Sequence, residues 1–156
     1  ADFQKGLEAA QKGDFATALR EWTPLAKQGD TDAQTNLGSM YRNGHGVLQD
    51  YKTAMKWYTL AAEQGSVTGQ HGLGTMYADW RQPLQDYILA YMWLGIALAQ
   101  GSKAGPLDLE LVAQKMSSTD ISTAQRAMSG FWLMREASVA TVGSSTGTWE
   151  SGPSAV

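Results

Sequence analysis

Apolar side chains recur at helical spacing along most of the chain, and the recurrence itself repeats. Ala33, Leu37, Met40 and Tyr41 share one face of a helix, and Tyr51, Ala54, Met55, Tyr58, Ala61 and Ala62 share one face of a second. Gly44 and Gly46 interrupt the first helix, and Asp50 stands where the second needs an N-cap. Gly65 follows Gln64 where a left-handed residue ends a helix. The stretch therefore predicts a helix pair. The small residues Gly38 and Ala54 let its two backbones approach closely.

An offset of 36 residues brings the pair onto a second copy of itself. Gln34 meets Gln70, and Leu37-Gly38 meets Leu73-Gly74. Met40-Tyr41 meets Met76-Tyr77, Asp50-Tyr51 meets Asp86-Tyr87, and Trp57 meets Trp93. Gln64-Gly65-Ser66 meets Gln100-Gly101-Ser102. A period between 20 and 50 residues marks a stacked solenoid, in which each unit buries its apolar face only against its neighbours. The N-terminal stretch follows the same plan with a shorter loop, since Gly6 lies 12 residues before Ala18 whereas Gly38 lies 16 before Ala54. Asp14, Phe15, Trp22 and Gln28-Gly29 keep the register of Asp50, Tyr51, Tyr58 and Gln64-Gly65.

The register ends after Gly101. Two further amphipathic stretches, about Leu107 to Met116 and Asp120 to Met134, predict a C-terminal cap over the last open face. Beyond them Ser138 to Val156 is rich in Ser, Gly and Thr without apolar period, which predicts a flexible tail. The expected organisation is helix pairs at 1–30, 31–66 and 67–102, capping helices at 103–136 and a tail at 137–156.

The segment LGSMYRNGHGVLQDYKTAMKWYTLAAEQG, Leu37 to Gly65, resembles the consensus of the Sel1-like repeat family, a branch of the tetratricopeptide superfamily. The likeness covers the Leu-Gly pair, the Gly-x-Gly-Val loop, the Asp-Tyr start, the Trp-Tyr pair and the Ala-Ala-x-Gln-Gly end. The second copy departs from it in the loop, where Asp79-Trp80-Arg81-Gln82-Pro83 replaces Asn43-Gly44-His45-Gly46-Val47, so that loop must take another path. The resemblance implies an all-α, right-handed α solenoid that serves as an adaptor or scaffold for another protein, often in bacterial envelope assemblies. By the same analogy, the concave positions are Thr35, Ser39, Arg42 and Asn43 in one copy and His71, Thr75, Ala78 and Asp79 in the next. Trp80 and Arg81, in the loop that leaves the consensus, are residue types enriched among interface anchors. A second candidate surface is Phe131-Trp132-Leu133-Met134, where four consecutive apolar residues exceed what one helix face buries, with Phe131, Trp132 and Met134 as its contacts. Self-association through it is one alternative to docking. A hydrolase of cell-wall or β-lactam-like substrates is the other, although disulfide-rich relatives are its precedent and this chain has no cysteine.

Composition narrows the chemistry. With 12 basic against 15 acidic residues in a chain of 156, the net charge is -3 and no basic run offers the footprint for nucleic acid. No stretch reaches the roughly 18 consecutive apolar residues of a membrane span. The absence of cysteine removes thiolate nucleophiles and cysteine metal sites. His45 stands alone between two loop glycines without a second ligand at metal spacing, so neither a metal nor a cofactor is expected. Asp50 and Asp86 repeat at equivalent positions, which favours helix capping over paired-carboxylate catalysis. The start Ala1-Asp2 resembles a signal-peptidase product, which gives the expectation of a periplasmic or secreted protein, with the cytoplasm as alternative.

Overall fold

The computed structural model describes residues 1–79, 81, 85–103 and 105–145. Eight helices and no strand occur among these residues: α1 (Phe3–Gln11), α2 (Phe15–Lys27), α3 (Thr31–Asn43), α4 (Tyr51–Glu63), α5 (Val67–Ala78), α6 (Tyr87–Ala99), α7 (Gly105–Ala113) and α8 (Ser118–Ser145). The fold is a helical repeat solenoid. Each of the first six helices opens on a side chain that takes a free backbone N–H of the first turn: Asp2, Asp14, Asp30, Asp50, Ser66 and Asp86. Asp50 and Asp86 thus sit where the repeat placed them.

The three helix pairs close with one shared bond in spite of unequal loops. The backbone N–H of Asp14, Asp50 and Asp86 donates to the carbonyl of Ala9, Tyr41 and Tyr77 at 2.8, 2.8 and 2.9 Å. Between these fixed points the paths do differ. Gly44 ends α3 in the left-handed region at φ 71°, whereas Asp79 leaves α5 extended at φ -73°. Gly65 ends α4 at φ 92°, a conformation glycine adopts without strain.

Bulky side chains from the second helix of each pair drop onto glycines of the first. A Cβ at Gly6 would stand 2.5 Å from Trp22, one at Gly38 2.9 Å from Tyr58, and one at Gly74 2.7 Å from Leu94. The pairs then stack through buried Ala33, Leu37 and Met40 on one side and Ala62, Leu73 and Met76 on the other. At the α3–α4 loop the His45 ring stacks on Phe15, centroids 4.7 Å apart, so the histidine expected to be a bare loop residue also ties the first unit to the second.

The cap differs from a simple fourth hairpin. Helix α7 continues the row of first helices by packing on α5 and α6, but α8 leaves it and lies along α6. There Phe131 meets Trp93 edge-on at 5.5 Å, and Met128 lies over Gly95. Helix α8 also runs on to Ser145, past the expected start of the tail at 137. Once a helix is nucleated by packing, each further residue adds a hydrogen bond for one fixed backbone, and Ala137 to Ala140 contain no breaker. Residues 146–156, with the rest of the expected tail, lie outside the described residues.

Candidate docking site on the inner face

Helix α3 touches α5 and α5 touches α7, whereas the second helices do not approach one another so closely. The first helices therefore line the inner side of the curve. At their C-terminal ends two cavities open, of about 450 Å³ and about 360 Å³. Arg42 and Arg81 border both, so the two form one groove.

The larger cavity has an apolar floor of Ala78, Leu94 and Val112 and a charged rim that includes Asp79, Asp108 and Lys115. Arg42 reaches across from α3, its Nη1 donating to Thr75 Oγ1 on α5 at 3.0 Å. Arg81 is held in place by Asp79, whose carboxylate accepts from Nε, Nη2 and the backbone N–H of Arg81, each at 2.9 Å. That hydrogen bonding, with burial working against it, holds the Asp79 carboxyl below its ordinary pKa. His71 Nε2 donates to Asp108 Oδ2 at 2.8 Å, which joins α5 to α7 beside the cavity. Lys115 places its ammonium 5.6 Å from the centre of the Tyr87 ring. The smaller cavity is polar, with Ser39, Asn43, Gln49 and Tyr51 among its walls. Burial raises the pKa of Tyr58 at its base, so that phenol stays protonated and available as a donor.

Of the residues singled out from the sequence, Ser39, Arg42, Asn43, Thr75, Ala78, Asp79 and Arg81 line this groove, and His71 bonds to one of its walls. Thr35 does not. It is only 6% exposed, and its hydroxyl donates to Asp32 O in its own helix. Trp80 lies outside the described residues. Phe131 and Trp132 are half-buried against the third unit, Trp132 still lining a surface pocket with Arg135 and Val139, while Met134 is 76% exposed. The groove also contains residues that no pattern announced. Asp108, Leu111, Val112 and Lys115 come from or follow α7, which has no counterpart in the register, so no repeat indicated which of its faces turns inward.

A family model described as the Sel1 repeat matches residues 31–66 and 68–102. The chain carries Sel1 repeats. No curated protein matches it in sequence. Among solved structures it is similar to c5321, a protective antigen present in uropathogenic Escherichia coli strains that displays an SLR fold. The likeness has a TM-score of 0.77 at 22% identity, over 97% of this chain and 33% of that one. It is also similar to a Sel1 repeat protein from Oxalobacter formigenes, with a TM-score of 0.52 at 27% identity, over 70% of this chain and 98% of that one. The first likeness bears on the fold alone, and this chain spans about a third of that protein's length. Sel1 repeat proteins in general mediate protein–protein interaction.

Among the described residues no helix is long and apolar enough to cross a membrane, and no group of three or more metal-ligating side chains comes together.

Proposed function

We propose that this Sel1 repeat protein is a non-enzymatic docking subunit whose inner groove holds a segment of a partner protein, within an exported bacterial envelope assembly. The carrying observation is the groove itself. Two cavities joined through Arg42 and Arg81 bring together side chains from three units that lie far apart in sequence, and a stack of hairpins does not need such an arrangement for its own packing. Its mixed lining suits an extended segment, gripped through hydrogen bonds in the polar half and through side-chain burial in the apolar half.

A photoreactive amino acid in place of Asn43 tests the reading, with Lys56, exposed on α4, as the outer-face comparison. Crosslinking in cells of the source organism is expected to join a discrete partner to position 43 and not to position 56. Equal labelling from both faces, or turnover by the purified protein in a hydrolase panel, overturns it. Cell fractionation checks the exported setting separately.

Exposed Leu133, Met134 and Val139 on α8 favour self-association as a second reading. Light scattering across a concentration series decides it, since a strictly monomeric chain removes it.

A further inference from the structure

The charges around the larger cavity do not balance within the protein. Asp79 spends its carboxylate on Arg81, and Asp108 accepts from His71. The two other cations of the rim hydrogen-bond to or face only neutral groups, although Arg42 stands close enough to Asp79 to favour its ionised form. Arg42 bonds to the Thr75 hydroxyl and the Tyr58 phenol, and Lys115 faces the Tyr87 ring. Among the described residues neither forms an ion pair. Three fixed cations, Arg42, Arg81 and Lys115, thus meet two carboxylates, Asp79 and Asp108, around one apolar floor, an excess of one positive charge in a chain whose net charge is -3. A concave wall of low polarity concentrates their field where a ligand would sit.

We propose that this cavity recognises a partner segment in which a bulky apolar residue stands beside an Asp or Glu. The inference rests on the docking reading and names its chemistry. The apolar side chain lies on Leu94 and Val112, where it exchanges water for a surface already partly desolvated. The neighbouring carboxylate pairs with Arg42, whose guanidinium presents parallel donors that fit a carboxylate. Lys115 contributes attraction at longer range and speeds encounter, an effect that salt screens within about 10 Å. Asp79 and Asp108 border the same space, so a second acidic residue pushed toward them, or a basic one at the position facing Arg42, is disfavoured. A cavity of about 450 Å³, open to solvent on one side, has room for an aliphatic or aromatic side chain laid against its floor.

The probe is an array of Gly/Ser-based peptides whose two central positions combine Leu, Phe or Ala with Asp, Glu, Asn or Lys, read with the full chain and followed by solution titration. Leu or Phe beside Asp or Glu is expected to bind at least about tenfold more tightly than the same peptide with Asn, the difference that one charge-assisted hydrogen bond makes. Arg42→Gln removes that preference, and Lys115→Gln weakens binding a few-fold while flattening its salt dependence. Lys115 is exposed, so its replacement leaves the fold intact even where Arg42→Gln disturbs the bond to Thr75.

The proposal is overturned by an array without acidic preference, by no binding at all, or by variants that bind as the parent does. Free N-acetylaspartate competing as well as the whole peptide also overturns it, because the site would then take a small carboxylate and not a segment. Each of these leaves crosslinking from position 43 unaffected, which separates failure of the ligand chemistry from failure of docking.

Discussion

Cε1 of Tyr58 lies 2.7 Å from the point a Cβ on Gly72 would occupy. The same ring stands 2.9 Å from the corresponding point on Gly38, so the phenol is slotted between α3 and α5 by a glycine on each side. The slot lets a second-helix side chain pack into two units at once. Gly72→Ala is therefore expected to destabilise the protein by about 1–2 kcal/mol, because overpacking a filled site outweighs the gain in helix propensity. Gly130 on α8 has nothing within 4 Å of its Cβ position, and Gly130→Ala is expected to stabilise by about 0.5–1 kcal/mol. Chemical denaturation of the two variants checks both signs, and a Gly72→Ala protein as stable as the parent refutes the slot.

Gln34 is 2% exposed and links three helices through one amide. Its Nε2 donates to Ala26 O at the end of α2 at 3.0 Å, and its Oε1 accepts from Gln64 Nε2 at the end of α4, also at 3.0 Å. Gln70 repeats the first bond with Ala62 O at 3.2 Å. Gln34→Leu keeps the apolar bulk but removes both bonds, leaving Ala26 O with the Gly29 N–H and Gln64 Nε2 with Leu60 O, at a cost of roughly 1–2 kcal/mol. Gln4, exposed on α1, is the comparison, and Gln4→Leu is expected to stay within about 0.5 kcal/mol of the parent. Thermal melts of both distinguish a structural amide from a merely buried one.

The stacking of hairpins was legible because its causes are local and recur: caps, glycine slots and apolar faces come back every 36 residues. The groove was legible only on the side the repeat builds. Arg42, Thr75 and Asp79 were found by their place in the unit, but Asp108 lies on, and Lys115 just after, a helix with no copy to align, whose orientation follows from its own packing on α6 and α5. Thr35 was misplaced because analogy carries a helix face to within a position or two, while burial changes over one. The start of the tail was misjudged for a different reason. Composition measures what a segment can bury by itself, whereas Ala137 to Ser145 extend a helix already anchored at Phe131 and Trp132.

Asp50 caps α4 as a charged group, which makes the cap dependent on pH. The side-chain bond from Thr53 is the largest of the interactions that hold its pKa below the ordinary 3.8. A lowered folded pKa means the ionised form is the stabilising one. Its contribution is complete above 3.8 and is lost as the pH falls from there through the lower folded value. Asp50→Asn retains a capping oxygen without the titration. The melting-temperature gap between parent and variant is thus expected to narrow between neutral pH and pH values below 3.8. A gap of constant size across that interval contradicts the assignment.

Phe131 decides whether α8 belongs to the solenoid or merely follows it. Its ring meets Trp93 at 5.5 Å and 74° and Trp132 at 5.4 Å and 75°, while Arg135 sits over it at 5.8 Å. Trp93 occupies the position of Trp57, which the first unit's cluster covers, so Phe131 does for the third unit what a neighbouring hairpin does for the second. Phe131→Ala is expected to cost about 2 kcal/mol, less than the ~3–5 kcal/mol of a fully buried Phe because the ring is half-exposed. Leu133→Ala, at a site 66% exposed, is expected to change stability by no more than about 0.5 kcal/mol. Amide exchange gives the finer readout: in Phe131→Ala the protection of α8 should fall more than that of α4, because the Phe131 ring is what fastens α8 to α6. Uniform loss of protection along the whole chain would instead make α8 an inseparable part of one cooperative core.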